Sequence, residues 1–387
     1  MNAVFSKFLD RKEQKSAFPL ISDDEILISF SIQAECVILK GDFDAWTDGI
    51  EMEGGDGFWW AVLPFDAESG LAYKFLVGDD WYCDPHNPYI SFGPEAYNSC
   101  IPRRGKGGII HLQALYSPEL ENERDIFVYV PHDHLDTPSL PILYAQDGYN
   151  LFSNPQAPFG NWALDQTLDI LIEKGLLPPL LVVAIDTPDR MNEYSWSAFP
   201  HEPPVVPRLE QYAIFMRETL HPLITEKWRC STDVAILGGS LGGSSALWLA
   251  WHHADFFSRV AAFSGSFWME DPSMMEIIAS TQNQPDIKIY LDSGDSDREG
   301  TVRFDADNLN FVDCVHDALC AQGWNSASPV GIDLDSDRLQ QWDEEQEIPS
   351  EKVCMIVGKG HQHREEDWAK RVGWALRFLY TDLLENP

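Results

Sequence analysis

Two kinds of hydrophobic pattern divide the chain. In the first quarter, short apolar runs alternate with turn residues, and these runs are Ile26–Phe30, Cys36–Leu39, Gly57–Leu63 and Tyr73–Val77. Short strands with a turn signal every few residues are typical of a small β-sandwich. We therefore predict an N-terminal immunoglobulin-like β-sandwich over residues 1–105.

The rest of the chain has a different period. Apolar β-rich runs predict strands at Ile126–Val130, Ile142–Ala145, Leu180–Ile185, Val234–Leu237, Val260–Phe263, Ile287–Leu291 and Val353–Val357. Stretches of helical period lie between or after them at Trp162–Lys174, Leu209–Glu218, Gly243–His253 and Glu366–Leu384. Alternating strands and helices predict a mostly parallel sheet covered on both faces. Residues 106–387 therefore form an α/β domain in this prediction, and the glycine-rich, basic region Cys100–Asp125 is its linker.

Charge narrows the classes of partner. The chain has 387 residues, with 62 acidic and 27 basic side chains and a formal charge of −35. This charge repels phosphate backbones and anionic lipid surfaces. We expect neither nucleic-acid nor membrane binding, and oligomeric state is left open.

The cysteines and residues 1–29 bear on the cellular location of the protein. The seven cysteines are scattered and include no C-x-x-C pair, so a disulfide framework is not expected. Residues 1–29 lack a continuous apolar segment followed by a cleavage site, and the longest apolar run, Leu176–Ile185, contains two prolines. A cytoplasmic location is the default expectation.

The strongest chemical signal is Gly238–Gly242, which reads G-x-S-x-G between a predicted strand and a predicted helix. In this pattern glycines flank a serine because side chains there would collide with the neighbouring strand or helix. Ser240 is then exposed as a nucleophile, and the amide of Leu241 can donate to an oxyanion. The structural alternative is a glycine-rich turn without chemistry.

A serine nucleophile needs a base and a carboxylate, and the α/β-hydrolase chain order is serine, acid, histidine. The late segment Gly358–His363 offers two histidines, His361 and His363, and Asp292–Glu299 offers four carboxylates after a predicted strand. The H-x-H pair could instead bind a metal, but no third ligand at zinc-like spacing accompanies it, so no metal or cofactor is predicted. A second oxyanion amide should come from Gly148 or Tyr149, in the loop after Ile142–Ala145.

Seven segments in order resemble the putative esterase family, which includes enterochelin, feruloyl and acetylxylan esterases and mycolyltransferases. They are Ser117–Leu120, Arg124–Pro131, Leu143–Phe152, Asn161–Trp162, Arg190–Tyr194, Gly239–Gly243 and His363–Trp368. The resemblance implies an α/β-hydrolase fold and acyl-ester chemistry. The family pattern places its histidine five positions before a tryptophan, which selects His363. It places its acid three residues after a glycine, which selects Asp297 over Asp295.

The N-terminal region resembles the CBM48-type early-set domains that bind glycogen. The similarity rests on Gly41–Trp46, Tyr73–Phe75, Trp81, Asp84–Pro88 and Asn98. It implies that Trp46 and Trp81 stack on sugar while Lys74 and Asn98 hydrogen-bond to it, which suits the apolar face and the hydroxyls of a pyranose. Tryptophans of a small sandwich can equally be packing residues.

The sequence thus predicts a serine carboxylic-ester hydrolase that acts on a small-molecule ester and needs no cofactor. Trp162, Arg190 and Glu193 are the candidate substrate-binding residues, with Trp196, Trp268, Arg298 and Lys359 as further rim candidates. Two alternatives stay open: a feruloyl or acetyl esterase acting on a polysaccharide that the N-terminal module binds, and a glucan-binding protein whose hydrolase half is inactive. Transfer of the acyl group to an alcohol other than water would use the same site. The acidic segment Asp333–Asp337 with Glu344 matches calcium-loop spacing but has Arg338 where glycine is needed.

Overall fold

A computed structural model describes residues 19–22, 24–297, 299–302, 306–332 and 348–385. Arg298 and the acidic segment 333–344 therefore lie outside the described residues. The chain divides into two compact units, residues 1–111 and 112–387. None of the helices in the described ranges is long and apolar enough to cross a bilayer.

The first unit consists of two antiparallel sheets. One has the order β1-β2-β6-β5, and the other has the order β9-β10-β7-β3-β4 with β8 also paired to β7. The strands are β1 (Leu20–Ile21), β2 (Glu25–Ser31), β3 (Ile38–Gly41), β4 (Ile50–Glu51), β5 (Glu53–Gly55), β6 (Phe58–Pro64), β7 (Leu71–Val77), β8 (Asp80–Tyr82), β9 (Tyr89–Phe92) and β10 (Tyr97–Ile101).

Alternating side chains of β2, β6 and β7 form the core between these two sheets. Phe30 of β2 and Phe75 of β7 stack with their ring centroids 4.2 Å apart, and both are buried. Burying alternate residues of facing strands is the arrangement that a β-sandwich requires. The predicted N-terminal β-sandwich is confirmed as part of the fold.

The strands of the second unit continue the numbering. They are β11 (Gly108–Ser117), which begins in the first unit, β12 (Asn122–Val130), β13 (Leu140–Gln146), β14 (Leu181–Ile185), β15 (Cys230–Gly239), β16 (Arg259–Phe263), β17 (Lys288–Gly294), β18 (Ser326–Ile332) and β19 (Val353–Gly358). The predicted linker region Cys100–Asp125 thus holds strand β11 and the start of β12.

The sheet of the second unit is mostly parallel, with the order β18-β19-β17-β16-β15-β13-β14-β12. The β12–β14 pair is antiparallel, and the other pairs in this order are parallel. Every residue of β13, β14 and β16 is buried, which explains why these strands read as continuous apolar runs. The α/β-hydrolase fold is therefore confirmed for this unit.

The helices of the second unit are α1 (Leu164–Glu173), α2 (Arg190–Glu193), α3 (Leu209–Ile214), α4 (His221–Lys227), α5 (Leu241–His252), α6 (Met274–Ser280), α7 (Leu309–Ala321) and α8 (Glu365–Glu385). A π-helical stretch, Phe215–Leu220, joins α3 to α4. Helix α5 packs on β15 and β16, and α8 packs on β16 and β17. Because β15, β17 and β19 are parallel, the segments that follow them emerge at one edge of the sheet.

Candidate active site

Ser240 lies in a sharp turn between β15 and α5. Its φ is 58° and its ψ is −123°, a left-handed conformation that a serine adopts only when its surroundings impose it. The backbone enforces the turn, because the amide of Ser240 donates to the carbonyl of Phe263 at 2.9 Å. A Cβ at Gly243 would lie 2.9 Å from that same carbonyl oxygen, so glycine is needed for this close approach.

The Ser240 side chain is half-buried, and its Oγ lies 3.2 Å from the Oγ of Ser266. Within the described ranges, the hydrogen bond of this hydroxyl goes to Ser266 and not to a histidine. Trp368 lies between the serine turn and the imidazole of His363. A Cβ at Gly239 would lie 3.1 Å from the Trp368 ring, and the His363 ring stands edge-on to it with centroids 5.1 Å apart. His363 therefore lies against the same indole as the nucleophile turn.

The carboxylate partner of His363 is Asp307. Nδ1 of His363 and Oδ1 of Asp307 are 2.7 Å apart, and the Asp307 side chain is fully buried while that of His363 is 30% exposed. Since a carboxylate accepts the Nδ1 proton, Nε2 is left as the acceptor that a general base needs.

Asp297 is the acid predicted from the sequence, but the carboxylate that contacts His363 is that of Asp307. The Asp297 carboxylate accepts from the amides of Glu299 and Thr301, at 3.0 and 2.9 Å, and so closes its own turn. Asp295, the other candidate, accepts from the amide of Gly360 at 2.6 Å. Asp307 lies ten positions after Asp297 in the sequence, and the sequence analysis did not identify it.

A signal for Asp307 is present in the sequence. Asp307 and Asn308 have φ values of 45° and 62°, and α7 begins directly after them. Aspartate and asparagine are the side chains that best tolerate this left-handed region, so a consecutive pair before a helix marks a special turn. The Asn308 amide donates to the carbonyl of Ser264 at 2.9 Å, which anchors that turn beside the serine.

His361, the alternative base, is buried in a different environment. Its Nδ1 is 3.0 Å from Nη1 of Arg371, and only 3% of the residue is exposed. Because a guanidinium only donates, this Nδ1 must accept, and the ring must carry its proton on Nε2. His361 is therefore a neutral structural histidine in this arrangement, whereas His363 has the tautomer of a base.

The predicted oxyanion amides come from two turns that begin near the serine. Leu241 is the first residue of α5, and Gly148 and Tyr149 open a 3₁₀ turn after β13. The first amides of a helical turn have no acceptor inside it, so these three can bind an anion. At Gly148 a Cβ would lie 2.7 Å from the Ile185 carbonyl carbon, which explains the glycine.

Arg190, predicted to bind substrate, instead connects these two turns. Its guanidinium donates to both carboxylate oxygens of Asp147, at 2.7 and 3.0 Å, and to the Gly239 carbonyl at 3.3 Å. Asp147 itself has a φ of 59° and precedes Gly148 directly. Arg190 thus holds the loop of Gly148 and Tyr149 beside Ser240.

Two further predicted substrate-binding residues, Trp162 and Glu193, are buried. Trp162 is 3% exposed and packs edge-on against Phe263 with centroids 4.8 Å apart. Glu193 is 0% exposed and accepts from both terminal nitrogens of Arg124, at 2.7 and 3.0 Å. Both side chains thus pack against or pair with other residues of the protein.

Acidic and histidine side chains also cluster on α7, away from the serine turn. Ligand atoms of Asp313, His316 and Asp317 all lie within 4.8 Å of one another. Nε2 of His316 is 2.6 Å from the hydroxyl of Ser326. Among the described residues, this is the group of carboxylate and imidazole side chains whose spacing would allow them to bind a metal ion.

In the N-terminal unit, three of the four predicted sugar-binding residues share one face of a sheet. Lys74 and Leu76 of β7 alternate with the buried Tyr73 and Phe75, and Trp81 of β8 is opposite Leu76. Residues directly opposite each other point the same way, so Trp81 shares the face of Lys74. Asn98 precedes Ser99, which is opposite Tyr73, and it therefore also points to that outer face.

Trp46 lies at the edge of this sheet, after β3. Its Nε1 donates to Asp42 at 2.8 Å, and the other oxygen of Asp42 accepts from the amide of Ala72 in β7. The residue is half-buried, and Trp81 is 50% exposed. The pattern therefore combines an exposed indole with neighbouring polar groups.

The fold and the arrangement at the strand ends define the class of this protein as an α/β-hydrolase esterase. Residues 117–317 match the family model Esterase, described as Putative esterase, and the chain belongs to that family. The match covers the Ser240 turn and Asp307, and ends before the His363 segment.

Three relatives illustrate the breadth of the similarity. The protein YbbA of Bacillus subtilis is 21% identical over 273 residues, which are 66% of this chain and 92% of that protein. The crystal structure of the ferric enterobactin esterase of Salmonella typhimurium has a TM-score of 0.50 at 16% identity, over 97% of this chain and 100% of that one. A ferulic acid esterase structure has a TM-score of 0.50 at 17% identity, over 71% and 99%. At these identities the structures support the fold.

The buried Arg124–Glu193 pair generates a stability prediction. Replacing Arg124 with Met leaves the Glu193 carboxylate buried without its cation, so we expect the free energy of unfolding to fall by about 3–5 kcal/mol. The matched control is Arg217→Met, which removes a more exposed ion pair with Asp255 and should cost about 1 kcal/mol or less. Urea denaturation of both variants measures the difference, and equal losses would contradict the assignment.

Glu365, at the start of α8, generates a prediction on pH. Burial and the nearby carboxylates of Glu366 and Asp147 raise the pKa of Glu365 to about 7. The folded state therefore favours protonated Glu365, and this contribution is full below the ordinary pKa of a glutamate and is lost as the pH rises through about 7.

Glu365→Gln removes that titration. The variant should gain about 1–2 kcal/mol relative to the unsubstituted protein between pH 4 and pH 8, a value discounted because the side chain reaches solvent. Thermal or urea unfolding at the two pH values checks this. Glu226→Gln on α4 is the surface control, and a pH-independent difference for Glu365→Gln would refute the prediction.

Proposed function

We propose that this protein hydrolyses small-molecule carboxylic esters through an acyl-enzyme on Ser240. The main observation behind the proposal is the His363–Asp307 pair. His363 of this pair and Gly239 of the Ser240 turn both contact the ring of Trp368. Membership of the esterase family supports the reaction class. A buried carboxylate paired with a half-exposed imidazole beside a strained serine is the constellation that acyl transfer needs.

In the proposed first step, Ser240 Oγ attacks the carbonyl carbon while Nε2 of His363 takes its proton. In this step the hydroxyl leaves Ser266 and turns toward Nε2. Asp307 keeps the imidazole in the required tautomer and stabilises the imidazolium that forms. The oxyanion is bound by the amides of Leu241 and of the Gly148–Tyr149 turn.

The tetrahedral adduct then breaks its bond to the alcohol oxygen, and His363 returns the proton to the leaving alkoxide. A water molecule attacks the acyl carbon and gives its proton to His363, which passes it to the Ser240 oxygen as the carboxylic acid leaves. Arg190 acts as a positioning residue, because it ties the Gly148–Tyr149 loop to the carbonyl of Gly239.

The test is turnover of a short nitrophenyl ester. Ser240→Ala, His363→Ala and Asp307→Asn should each lose activity, by about 10³-fold or more, because each removes a member of one catalytic unit. Asp297→Asn is the matched control, since its carboxylate accepts from the amides of Glu299 and Thr301, and it should stay close to the unsubstituted rate. Full activity of Asp307→Asn together with loss in Asp297→Asn would reverse the assignment of the acid.

A second function, carbohydrate binding by the N-terminal domain over residues 1–105, is favoured by the shared outer face of Lys74, Trp81 and Asn98. An exposed indole beside an ammonium and an amide can stack on a pyranose and hydrogen-bond to its hydroxyls. This arrangement favours an ester attached to a saccharide over a free siderophore ester. A panel of methyl ferulate, acetylated xylan and ferric enterobactin, with Ser240→Ala as the blank, discriminates these substrates.

Affinity electrophoresis in soluble glucans tests the binding itself. Trp81→Ala and Lys74→Ala should abolish the retardation, because they remove the stacking platform and a hydrogen-bond donor. The matched control is Trp268→Ala, an equally exposed tryptophan of the second unit, at 55% against 50% for Trp81. Absence of retardation in the unsubstituted protein would refute sugar binding, and glucan binding without any esterase activity would favour the inactive-hydrolase alternative.

A further inference from the structure

The largest buried side chain behind the candidate triad is that of Arg371 in α8, which is 0% exposed. Its Nε and Nη2 donate to the two carboxylate oxygens of Asp292, at 2.9 and 3.2 Å. Nη2 also lies 3.9 Å from Oδ2 of Asp307, the carboxylate that pairs with His363. One buried cation is thus shared by two buried carboxylates.

Ser264 connects this cation to Asp307 by a hydrogen bond of defined direction. The Ser264 hydroxyl oxygen accepts one hydrogen bond from Trp368 Nε1 at 2.9 Å and another from Arg371 Nη2 at 3.2 Å. A hydroxyl has two acceptor sites and one proton, so its own proton is left for Oδ2 of Asp307, 2.9 Å away. The amide of Gly294 is a second donor to that oxygen.

The donors divide the Asp307 carboxylate into two halves. Oδ2 is bound by Ser264 and by the amide of Gly294, and Oδ1 is left to accept from His363. Both hydrogen bonds to Oδ2 are donated by groups that belong to the protein interior. The orientation of His363 therefore depends on groups that never approach the substrate.

The charged groups around Arg371 also affect one another's pKa. Burial alone would lower the pKa of Arg371, but the carboxylates of Asp292 and Asp307 raise it above its ordinary value. Burial raises the pKa of Asp292, while Arg371 opposes that shift. Asp292, Arg371, Asp307 and His363 thus form a chain of alternating acidic and basic groups, with neighbouring groups 2.7–3.9 Å apart.

We propose that Arg371 is a positioning residue of the esterase reaction, which acts with Ser264 and Asp292 to set the proton affinity of His363 through Asp307. The inference rests on the proposed function of Ser240 and His363. Removal of the Arg371 cation should make protonation of His363 easier, and removal of the Asp292 anion should make it harder. If Arg371 had only a structural role, the two substitutions would not change the protonation of His363 in opposite directions.

Other titratable groups face these residues and must be controlled. His363 faces Asp307 and, from α8, Glu365. Arg371 faces His361 and Tyr290 in addition to the two aspartates, and Cys354 of β19 lies near Asp292. Because the pKa of Glu365 is raised to about 7, the measurements are best made in a Glu365→Gln background.

The experiment is the pH profile of kcat/KM for a nitrophenyl ester, whose acid limb reports protonation of the free enzyme's base. In Arg371→Met and in Ser264→Ala we expect the acid limb to move to higher pH by about half a unit or more, and in Asp292→Asn to move to lower pH. The double variant Ser264→Ala/Arg371→Met should shift by less than the sum, since both act on the same oxygen of Asp307.

Titration of Ser240 with an active-site phosphonate counts the folded, competent protein in each sample. Arg377→Met, a buried arginine of the same helix without a contact to Asp307, is the matched control and should keep the limb in place. Opposite shifts for Arg371→Met and Asp292→Asn support the proposal, and shifts of the same sign or none overturn it. If Arg371→Met does not fold, the direction of the Asp292→Asn shift decides. An inactive unsubstituted protein would instead overturn the proposed function.

Discussion

The hydrogen bond between Asp307 and His363 is the interaction on which the candidate site depends. It joins a fully buried carboxylate to a partly exposed imidazole at 2.7 Å. It decides which ring nitrogen carries the proton, and so which one can act as a base. Without it, Ser240 would be a strained serine in a glycine-rich turn, and His361 and His363 would be equivalent candidates. The partner that distinguishes the two histidines is Arg371 for one and Asp307 for the other.

The three catalytic candidates come from turns after three strands, β15, β17 and β19, whose parallel arrangement brings those turns to one edge. Each turn is then fixed by contacts that the sheet alone does not supply. Arg190 fixes the loop after β13 against Gly239, and Trp368 is wedged between Gly239 and His363. Ser264, after β16, accepts hydrogen bonds from the buried side chains of Trp368 and Arg371. The position of the site follows from the topology, and its geometry follows from these buried side chains.

The sequence predicted the elements well where a local pattern sufficed. Continuous apolar runs identified β13, β14 and β16, and the G-x-S-x-G pattern identified the turn at Ser240, because sterics act within a few residues. Asp307 was missed because its pairing depends on how a long loop after β17 returns to the sheet, which spacing from Gly294 cannot specify. Glu193 and Trp162 are predicted as rim residues because charge and aromaticity do not reveal whether a side chain is buried against a partner. For Arg190 they do not reveal its internal ion pair with Asp147. Arg124 and Gly239, the partners that bury Glu193 and cover Trp162, are far from them in sequence.

We propose that Ser240 is a nucleophile and that its base, His363, is oriented by Asp307. The most direct measurement is the rate at which a fluorophosphonate attaches covalently to the protein, followed by intact mass and by mapping of the modified peptide. We expect a single adduct on Ser240, formed at nearly the same rate in Asp297→Asn and much more slowly in Asp307→Asn. Modification of another residue, or equal rates in Asp307→Asn and the unsubstituted protein, would contradict it.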